Sequence, residues 1–198
     1  MTAIRDYSGW ISPDEYLESE LLSEIRREYV AGQVYAMSGV SVEHNRLVRE
    51  INLALCSHLR GKPCEAFVND MKARITLDGE TCFYYPDILV NCDPSGQKKY
   101  YCETPSVVVE VLSPNTHRID EREKFAAYQA IPTLQTYVLV SQEYWQVKVH
   151  RRAHGWVRET LEKANDVLRL PEIEFEMPLS DIYASVSVLA MTQPRVVE

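Results

Sequence analysis

The chain has 198 residues and a formal net charge of −8 at pH 7. Apolar residues make up 45% and charged residues 25%, which is typical of a globular domain and disfavours disorder, collagen and coiled coil. No apolar run approaches the roughly 20 residues of a membrane-spanning helix, and residues 1–10 lack the pattern of a secretory signal. The length predicts one domain over residues 1–185, followed by a frayed tail over 186–198.

In chain order, the first half of the sequence predicts a helix over 13–24, a hairpin over 27–37 and a second helix over 42–60. Ser12 can cap the first helix, because Pro13 follows it and Glu15 stands at the position that completes a capping box. The hairpin is expected to turn at Ala31-Gly32. The second helix repeats apolar residues at helical spacing, so one of its faces is expected to be buried.

The second half predicts mainly strands, at 65–68, 71–77, 82–90, 106–112 and 136–140. It also predicts a helix over 118–130, a hairpin formed by 145–151 and 156–161, and a short element near 179–183. The run Ser106–Leu112 is the most apolar part of the chain and predicts a central strand covered on both faces. The expected fold is α/β, a mixed sheet flanked by helices, with an N-terminal helix-hairpin and a C-terminal hairpin.

Charge and cysteine usage narrow the class of function. The negative charge counts against a protein that holds nucleic acid by bulk electrostatics. Residues 117–169 alone carry nine bases against seven acids, so a surface for a polyanion is expected there. The five cysteines form no C-x-x-C pair, which disfavours a zinc or redox motif and predicts free thiols in a reducing cytoplasm. No phosphate-loop, dinucleotide, zinc-protease or serine-hydrolase motif occurs.

Two acids have unusual settings. Asp87 follows Pro86 within an apolar strand, and Glu110 lies inside the run Val107–Leu112. For either acid alone, a solvated strand end or a salt bridge to arginine is the better explanation. Burying a carboxylate in such a run is costly unless it is paired or binds a cation. Two such carboxylates on neighbouring strands would converge on one hard cation, and their oxygen ligands suit Mg²⁺.

A lysine on the following helix is the third candidate. Asp120, Lys124 and Tyr128 are spaced so that they lie along one stripe of a helix. A surface Asp–Lys pair is a common alternative explanation of this spacing. In the functional interpretation, the helix packs beside the Glu110 strand and Lys124 orients or deprotonates a water, or neutralises a phosphate.

These segments together resemble the PD-(D/E)xK nuclease superfamily, over roughly residues 11–149. The resemblance is carried by Pro86-Asp87, by Glu110 with the Val-Leu-Ser-Pro-Asn-Thr that follows it, and by Lys124. It is strongest to the branch of putative restriction endonucleases abundant in cyanobacteria, in which an early glutamate precedes a glycine and a Met-Ser pair, here Glu28, Gly32 and Met37-Ser38. The resemblance implies a restriction-endonuclease-like fold and Mg²⁺- or Mn²⁺-dependent hydrolysis of nucleic acid, with DNA as the expected substrate.

The resemblance also implies residue roles. Asp87 and Glu110 would hold the metal with the Val111 carbonyl, Lys124 would position the attacking water, and Glu28 would reach in from the early hairpin. Asp120, Tyr128 and His44 are expected to contact and orient these residues. A histidine in the first turn of a helix is, however, more often a capping or packing residue.

The chain departs from the superfamily pattern at one position. Leu112 stands where the superfamily has lysine, two residues after Glu110. In the resembling branch this lysine has moved to the following helix, which points to Lys124. If Lys124 faced solvent, the site would be inactive.

Two other functions stay open. A catalytically silent nuclease fold used for binding or assembly would tolerate Lys124→Ala, and a plain structural α/β protein would have no metal affinity. A homodimer is also predicted, because cutting both strands of a duplex commonly needs two sites, with the C-terminal hairpin as the candidate interface.

Overall fold

The computed structural model describes residues 4–5, 9–113 and 120–187 of the chain. The helices are α1 (Pro13–Glu20), α2 (Val42–Leu59), α3 (Phe125–Gln129) and α4 (Leu179–Ile182), with a π-helical turn (Asp120–Lys124) leading into α3. Short 3₁₀ turns cover Pro94–Gly96, Arg152–His154 and Pro171–Ile173. The strands are β1 (Ile4–Arg5), β2 (Arg27–Val30), β3 (Gln33–Ala36), β4 (Glu65–Val68), β5 (Lys72–Leu77), β6 (Glu80–Tyr84), β7 (Ile88–Asn91), β8 (Tyr101–Cys102), β9 (Pro105–Leu112), β10 (Thr136–Ser141), β11 (Val147–Arg151), β12 (Arg158–Leu161), β13 (Val167–Leu170) and β14 (Phe175–Pro178).

The fold is mixed α/β, but its strands form two large sheets rather than the one that the sequence predicts. The N-terminal sheet has the order β1-β3-β2-β6-β5-β8 and the central sheet the order β12-β11-β10-β9-β7-β4. Both are mixed, since β9 runs parallel to β10 and β5 runs parallel to β8. Strands β13 and β14 form a separate hairpin. No helix within the described ranges is long and apolar enough to cross a membrane.

The local signals of the first half are confirmed. Ser12 and Glu15 form the capping box at the start of α1, although the helix ends at Glu20, a few residues before the predicted end. Strands β2 and β3 form the predicted hairpin, and its turn at Ala31-Gly32 has positive φ at both residues. This backbone matches the twist of a two-residue hairpin. Helix α2 is capped by Ser41, as predicted.

The central strand is also confirmed. Strand β9 lies between β7 and β10, and six of its residues from Val107 to Leu112 are buried. Its side chains alternate between two apolar clusters. Val107, Val109 and Val111 pack with the apolar face of α2, whereas Val108 and Leu112 pack with Tyr128 of α3. Glu110 shares the face of Val108 and Leu112, because side chains two apart in a strand point to the same side.

The prediction of one strand over residues 82–90 is wrong. The chain leaves β6 at Tyr84 and enters β7 at Ile88, and these two strands belong to different sheets. The residues between them include Pro86, which has no N–H to donate to a ladder. The break therefore places Asp87 at the passage from the N-terminal sheet to the central sheet.

The cysteine prediction is wrong for two of the five thiols. Cys64 and Cys92 form a disulfide with a Cα–Cα distance of 4.1 Å, while Cys56, Cys82 and Cys102 are free. The cause is the antiparallel pairing of β4 with β7, in which Glu65 faces Asn91. That register brings the residues at the two strand ends together, although 28 positions separate them in sequence.

The C-terminal part confirms one hairpin and adds another. Strands β11 and β12 pair as predicted, and α4 matches the short element expected near 179–183. The β13–β14 hairpin was not expected, because its strands are short and Pro171 interrupts the segment between them. Residues 114–119 of the predicted loop and helix, and residues 188–198 of the predicted tail, lie outside the described part of the chain.

Candidate active site

Asp87, which directly precedes β7, lies opposite Glu110 of the adjacent strand β9. The β7–β9 register pairs Ile88 with Val109, so the next position on each strand brings the two carboxylates together. Asp87 Oδ2 accepts a hydrogen bond of 2.7 Å from the Val111 N–H. The side chain of Asp87 is 15% exposed and Glu110 is 4% exposed. Asp87 is therefore the more accessible of the two carboxylates.

His44 contacts the second oxygen of Asp87. Its Nε2 lies 2.9 Å from Oδ1, and because an ionised carboxylate can only accept, Nε2 donates this hydrogen bond. The first turn of α2 places the ring there: Ser41 Oγ accepts from the His44 N–H at 3.0 Å and donates to the side chain of Gln142. Nδ1 is buried and has no hydrogen-bond partner within the described ranges. His44 thus fixes the direction of the Asp87 carboxylate.

Glu110 is held by two side chains from the segment that follows β9. Lys124 Nζ lies 3.4 Å from Oε1, and the Tyr128 hydroxyl donates to the same oxygen at 3.2 Å. Lys124 is 4% exposed and Tyr128 is fully buried. Lys124 ends the π-helical turn and Tyr128 lies one turn later in α3, so both reach Glu110 from the same face of this helical segment.

Glu28 completes the group from the N-terminal sheet. Its Oε1 lies 2.9 Å from Lys124 Nζ and accepts a hydrogen bond of 3.2 Å from the Tyr85 N–H. Glu28 is 8% exposed, so its charge needs these partners. The Lys124 ammonium therefore sits between two carboxylates that come from different sheets.

The electrostatic balance of the site is negative. Two carboxylates, those of Glu28 and Glu110, contact the ammonium of Lys124, which also lies 5.4 Å from the centre of the Tyr84 ring. Asp87 adds a third carboxylate at the position opposite Glu110. Burial raises the pKa of Tyr84, so its hydroxyl stays neutral in this setting. Such a site attracts a cation, and its carboxylates can orient a water or a hydroxyl group.

The donor set fits Mg²⁺ better than a softer metal. No cluster of three or more His, Cys, Asp or Glu side chains arranged for a metal occurs among the residues that the structure describes. Mg²⁺ is commonly held by one or two carboxylates while waters and substrate oxygens fill its other positions. The carboxylates of Asp87 and Glu110, together with the backbone carbonyl of Val111, are oxygen donors of the kind that Mg²⁺ takes.

The structure brings together six of the residues singled out from the sequence: Glu28, His44, Asp87, Glu110, Lys124 and Tyr128. The side chain of Asp120 lies outside the described part. Tyr85 was not expected in the site. Its contact to Glu28 is made by a backbone N–H, which leaves no trace in the type of residue.

Several other polar and aromatic side chains have ordinary structural roles. Asp70 is largely exposed and pairs with Arg26 at 2.6 Å. Trp145 stacks on Tyr183, and Trp156 contacts Phe125, so both pack against their own domain. Bases of residues 117–169 also have acidic partners on the protein, in the pairs Lys148–Glu121, Arg151–Glu159 and Arg169–Glu176. This pairing weakens the expectation of a polyanion surface there.

The chain is similar to a protein family, to two sequence relatives and to a solved structure. The sequence model of the Uma2 family, described as putative restriction endonucleases, matches residues 13–180. Two uncharacterised proteins of Synechocystis, slr1290 and sll1609, are 36% and 29% identical over 87% and 81% of this chain, and over 91% and 90% of their own lengths. The crystal structure of a putative nuclease of the DUF820 group from Anabaena variabilis superposes with a TM-score of 0.70 at 18% identity, covering 88% of this chain and 98% of that one.

Proposed function

Because this chain belongs to the Uma2 family of putative restriction endonucleases, we propose that it is a Mg²⁺-dependent endonuclease that hydrolyses phosphodiester bonds of DNA. The observation that carries the proposal is the position of Lys124. Its ammonium is buried within 2.9 Å of Glu28 and 3.4 Å of Glu110, beside Asp87 on the next strand. A catalytically silent fold has no need to keep a buried lysine between two carboxylates.

In this proposal Asp87 and Glu110 hold the metal, with the Val111 carbonyl as a further ligand. A bound Mg²⁺ would polarise the phosphate and lower the pKa of a bound water. His44 keeps Asp87 directed toward the metal position. Tyr128 does the same for Glu110, since its hydroxyl donates to Oε1. These two contacts reduce the rearrangement that metal binding requires.

Lys124 acts on the reacting groups. An ammonium has three N–H donors, and two of them can be directed at Glu28 and Glu110. From this position the ammonium can also hold the attacking water or a phosphate oxygen in line for displacement. Glu28 fixes the ammonium from the opposite side. This arrangement gives Lys124 the role that the superfamily assigns to the lysine two residues after Glu110.

Metal titration by calorimetry, together with nicking of supercoiled plasmid, tests the proposal. The wild type is expected to bind Mg²⁺ or Mn²⁺ and to nick the plasmid. The isosteric double variant Asp87→Asn/Glu110→Gln is expected to lose both properties. Lys124→Met is expected to keep metal binding and to nick at least about 100-fold more slowly, the usual scale of proton-transfer and positioning contributions.

A matched control removes two carboxylates from exposed positions. Glu65→Gln/Asp70→Asn changes the net charge by the same amount and is expected to behave as the wild type. A wild type that binds no metal, or a double variant that still nicks, would contradict the proposal. Metal binding without nicking of DNA, or of a structured RNA tested beside it, would favour the silent nuclease fold.

The homodimer stays a prediction. Light scattering at the protein concentration of the nicking assay tests it, and a monomeric mass there would contradict it. The cytoplasmic location is likewise a prediction from the sequence.

A further inference from the structure

A second polar cluster adjoins Glu28. It consists of Glu20 at the end of α1, Arg27 on β2, Lys72 on β5 and Tyr85 after β6. Arg27 and Lys72 are each 4% exposed and Tyr85 is 7% exposed, and the Glu20 side chain is 5% exposed. The proposed reaction uses none of these four side chains.

The cluster fixes the Tyr85 hydroxyl from two directions. The hydroxyl donates to Glu20 Oε1 at 3.0 Å and accepts from Lys72 Nζ at 3.0 Å. Burial, followed by the charge of Glu20, raises the pKa of Tyr85, so the phenol keeps the proton that it donates. Lys72 Nζ also lies 4.8 Å from the centre of the Tyr85 ring. The ring is thus held at its end and over its face.

Glu20 is fixed in turn by Arg27. Its Oε1 accepts from the Arg27 N–H and its Oε2 accepts from Arg27 Nε, both at 2.9 Å. Arg27 directly precedes Glu28 in β2. The cluster therefore has two links to Glu28, one through the backbone of β2 and one through Tyr85.

The second link reaches the carboxylate itself. The Tyr85 N–H donates to Glu28 Oε1 at 3.2 Å, the same oxygen that lies 2.9 Å from Lys124 Nζ. Pro86 follows Tyr85 and has no N–H, so it cannot take over this hydrogen bond to Glu28. A displacement of the Tyr85 ring would move this N–H, and with it the carboxylate that holds Lys124.

Burying two cations and one carboxylate is costly, and a buried ionic cluster is often less stable than apolar packing of the same volume. Stability alone therefore does not account for a cluster of this kind at this place. We propose that Tyr85 is a positioning residue, whose hydroxyl, anchored by Glu20 and Lys72, holds its backbone N–H on Glu28 and so fixes the Lys124 ammonium. This proposal rests on the nuclease function proposed above.

Tyr85→Phe is the sharpest variant, because it removes one oxygen and keeps the ring, the Pro86 turn and the backbone N–H. We expect kcat for plasmid nicking to fall about tenfold while KM for the plasmid stays within about twofold, since the change acts on the transition state alone. Positioning errors well below 1 Å are sufficient for an effect of this size.

Tyr29→Phe is the matched control. Tyr29 is 2% exposed and its hydroxyl also makes a hydrogen bond, of 2.9 Å to the Ile11 carbonyl. It follows Glu28 in β2 but points to the opposite face, toward Tyr16 and Phe83. We expect it to lower the melting temperature about as much as Tyr85→Phe and to leave kcat unchanged. Wild-type kcat in Tyr85→Phe, or equal losses in both variants, would overturn the proposal.

A second measurement needs no cleavage. NMR hydrogen exchange at the amide of residue 85 is expected to be about tenfold faster in Tyr85→Phe and unchanged in Tyr29→Phe, because this amide donates to Glu28. An unchanged rate in Tyr85→Phe would overturn the positioning role. If the wild type fails to nick plasmid, the nuclease function fails, and the exchange rates still decide whether Tyr85 holds Glu28.

Discussion

Lys124 Nζ and Glu28 Oε1 lie 2.9 Å apart, and this ion pair joins the helical segment after β9 to a strand of the N-terminal sheet. Both side chains are almost completely buried, at 5% and 11% exposure. The contact matters for stability as well as for the proposed chemistry. If one charge were removed, water could not reach the other to solvate it, and that charge would stay buried without a partner.

Replacing Lys124 by methionine is expected to destabilise the fold. Glu28 and Glu110 would remain buried without the ammonium, and breaking a buried ion pair in this way costs about 3–5 kcal/mol. Denaturant unfolding measures the loss. Adding Glu28→Gln to Lys124→Met removes one of the two unpaired carboxylates and is expected to recover part of the lost stability.

The control for this prediction is Lys62→Met. Lys62 lies 3.9 Å from Glu174, and both side chains are exposed to solvent. A surface pair of this kind is expected to contribute less than about 1 kcal/mol. If the two lysine variants lost similar stability, the buried position of Lys124 would be contradicted.

Moving the lysine back to its superfamily position is expected to restore some activity. Leu112 shares the inward face of Glu110 on β9 and is 6% exposed. The double variant Leu112→Lys/Lys124→Met therefore places an ammonium on the same side of the sheet as the carboxylates. We expect plasmid nicking at least about tenfold faster than in Lys124→Met alone, a gain of about 1.4 kcal/mol in transition-state stabilisation.

Leu112→Met/Lys124→Met is the matched control and is expected to be as slow as Lys124→Met. Circular dichroism must show that the lysine variant is folded. A folded but inactive Leu112→Lys/Lys124→Met protein would contradict the equivalence of the two positions.

His150 is expected to make the stability depend on pH. It is buried beside the rings of Phe125 and Tyr137, and Nδ1 contacts the Trp156 carbonyl at 2.9 Å. Burial lowers the pKa of His150 below its ordinary value of 6.5. As the pH falls, the unfolded chain therefore takes up a proton on His150 at a higher pH than the folded chain does. The contribution of neutral, buried His150 to the free energy of unfolding is complete above pH 6.5 and is lost as the pH falls below this value.

Thermal unfolding between pH 7.5 and pH 5 tests this sign. As the pH is lowered, the protonation of His150 is expected to reduce the free energy of unfolding of the wild type by up to about 1.4 kcal/mol per pH unit. His150→Gln has no proton to gain and is expected to show a shallower slope. A steeper slope in His150→Gln than in the wild type would reverse the predicted direction.

Reduction of the Cys64–Cys92 disulfide is expected to lower stability by about 3–4 kcal/mol, from the loop-closure entropy of a 28-residue separation. Thiol titration of the unfolded, unreduced protein should find three free cysteines. The double variant Cys64→Ser/Cys92→Ser is the control, because its melting temperature should not respond to reductant. Five titratable thiols in the protein as purified would contradict the disulfide.

Local signals predicted the first half of the fold well. The capping box at Ser12 and the turn at Ala31-Gly32 are decided by residues within one or two turns of chain, so the sequence carries them directly. The central strand β9 was equally clear, since only a strand buried on both faces accommodates so many β-branched residues in a row.

Features that depend on distant pairing could not be predicted in this way. Residues 82–90 have the composition of one strand, and only the assignment of β6 and β7 to different sheets shows that Pro86 divides them. The Cys64–Cys92 disulfide likewise depends on the register of β4 against β7. Neither pairing has a local signal.

The candidate site was partly predictable. Asp87 and Glu110 stand out because a carboxylate in an apolar run needs a partner, and Lys124 follows from the resemblance to a family. The sequence did not predict that Glu28 and Glu110 both contact Lys124, or that the Tyr85 N–H donates a hydrogen bond to Glu28.

The site exists only in the complete fold, because it draws on both sheets. Glu28 comes from the N-terminal sheet, Glu110 from the central strand β9, and Asp87 from the passage between the two sheets. A chain in which only one sheet has formed holds no complete set of these side chains. Local opening of either sheet would therefore separate Lys124 from one of its two carboxylates, so partial unfolding is enough to dismantle the proposed site.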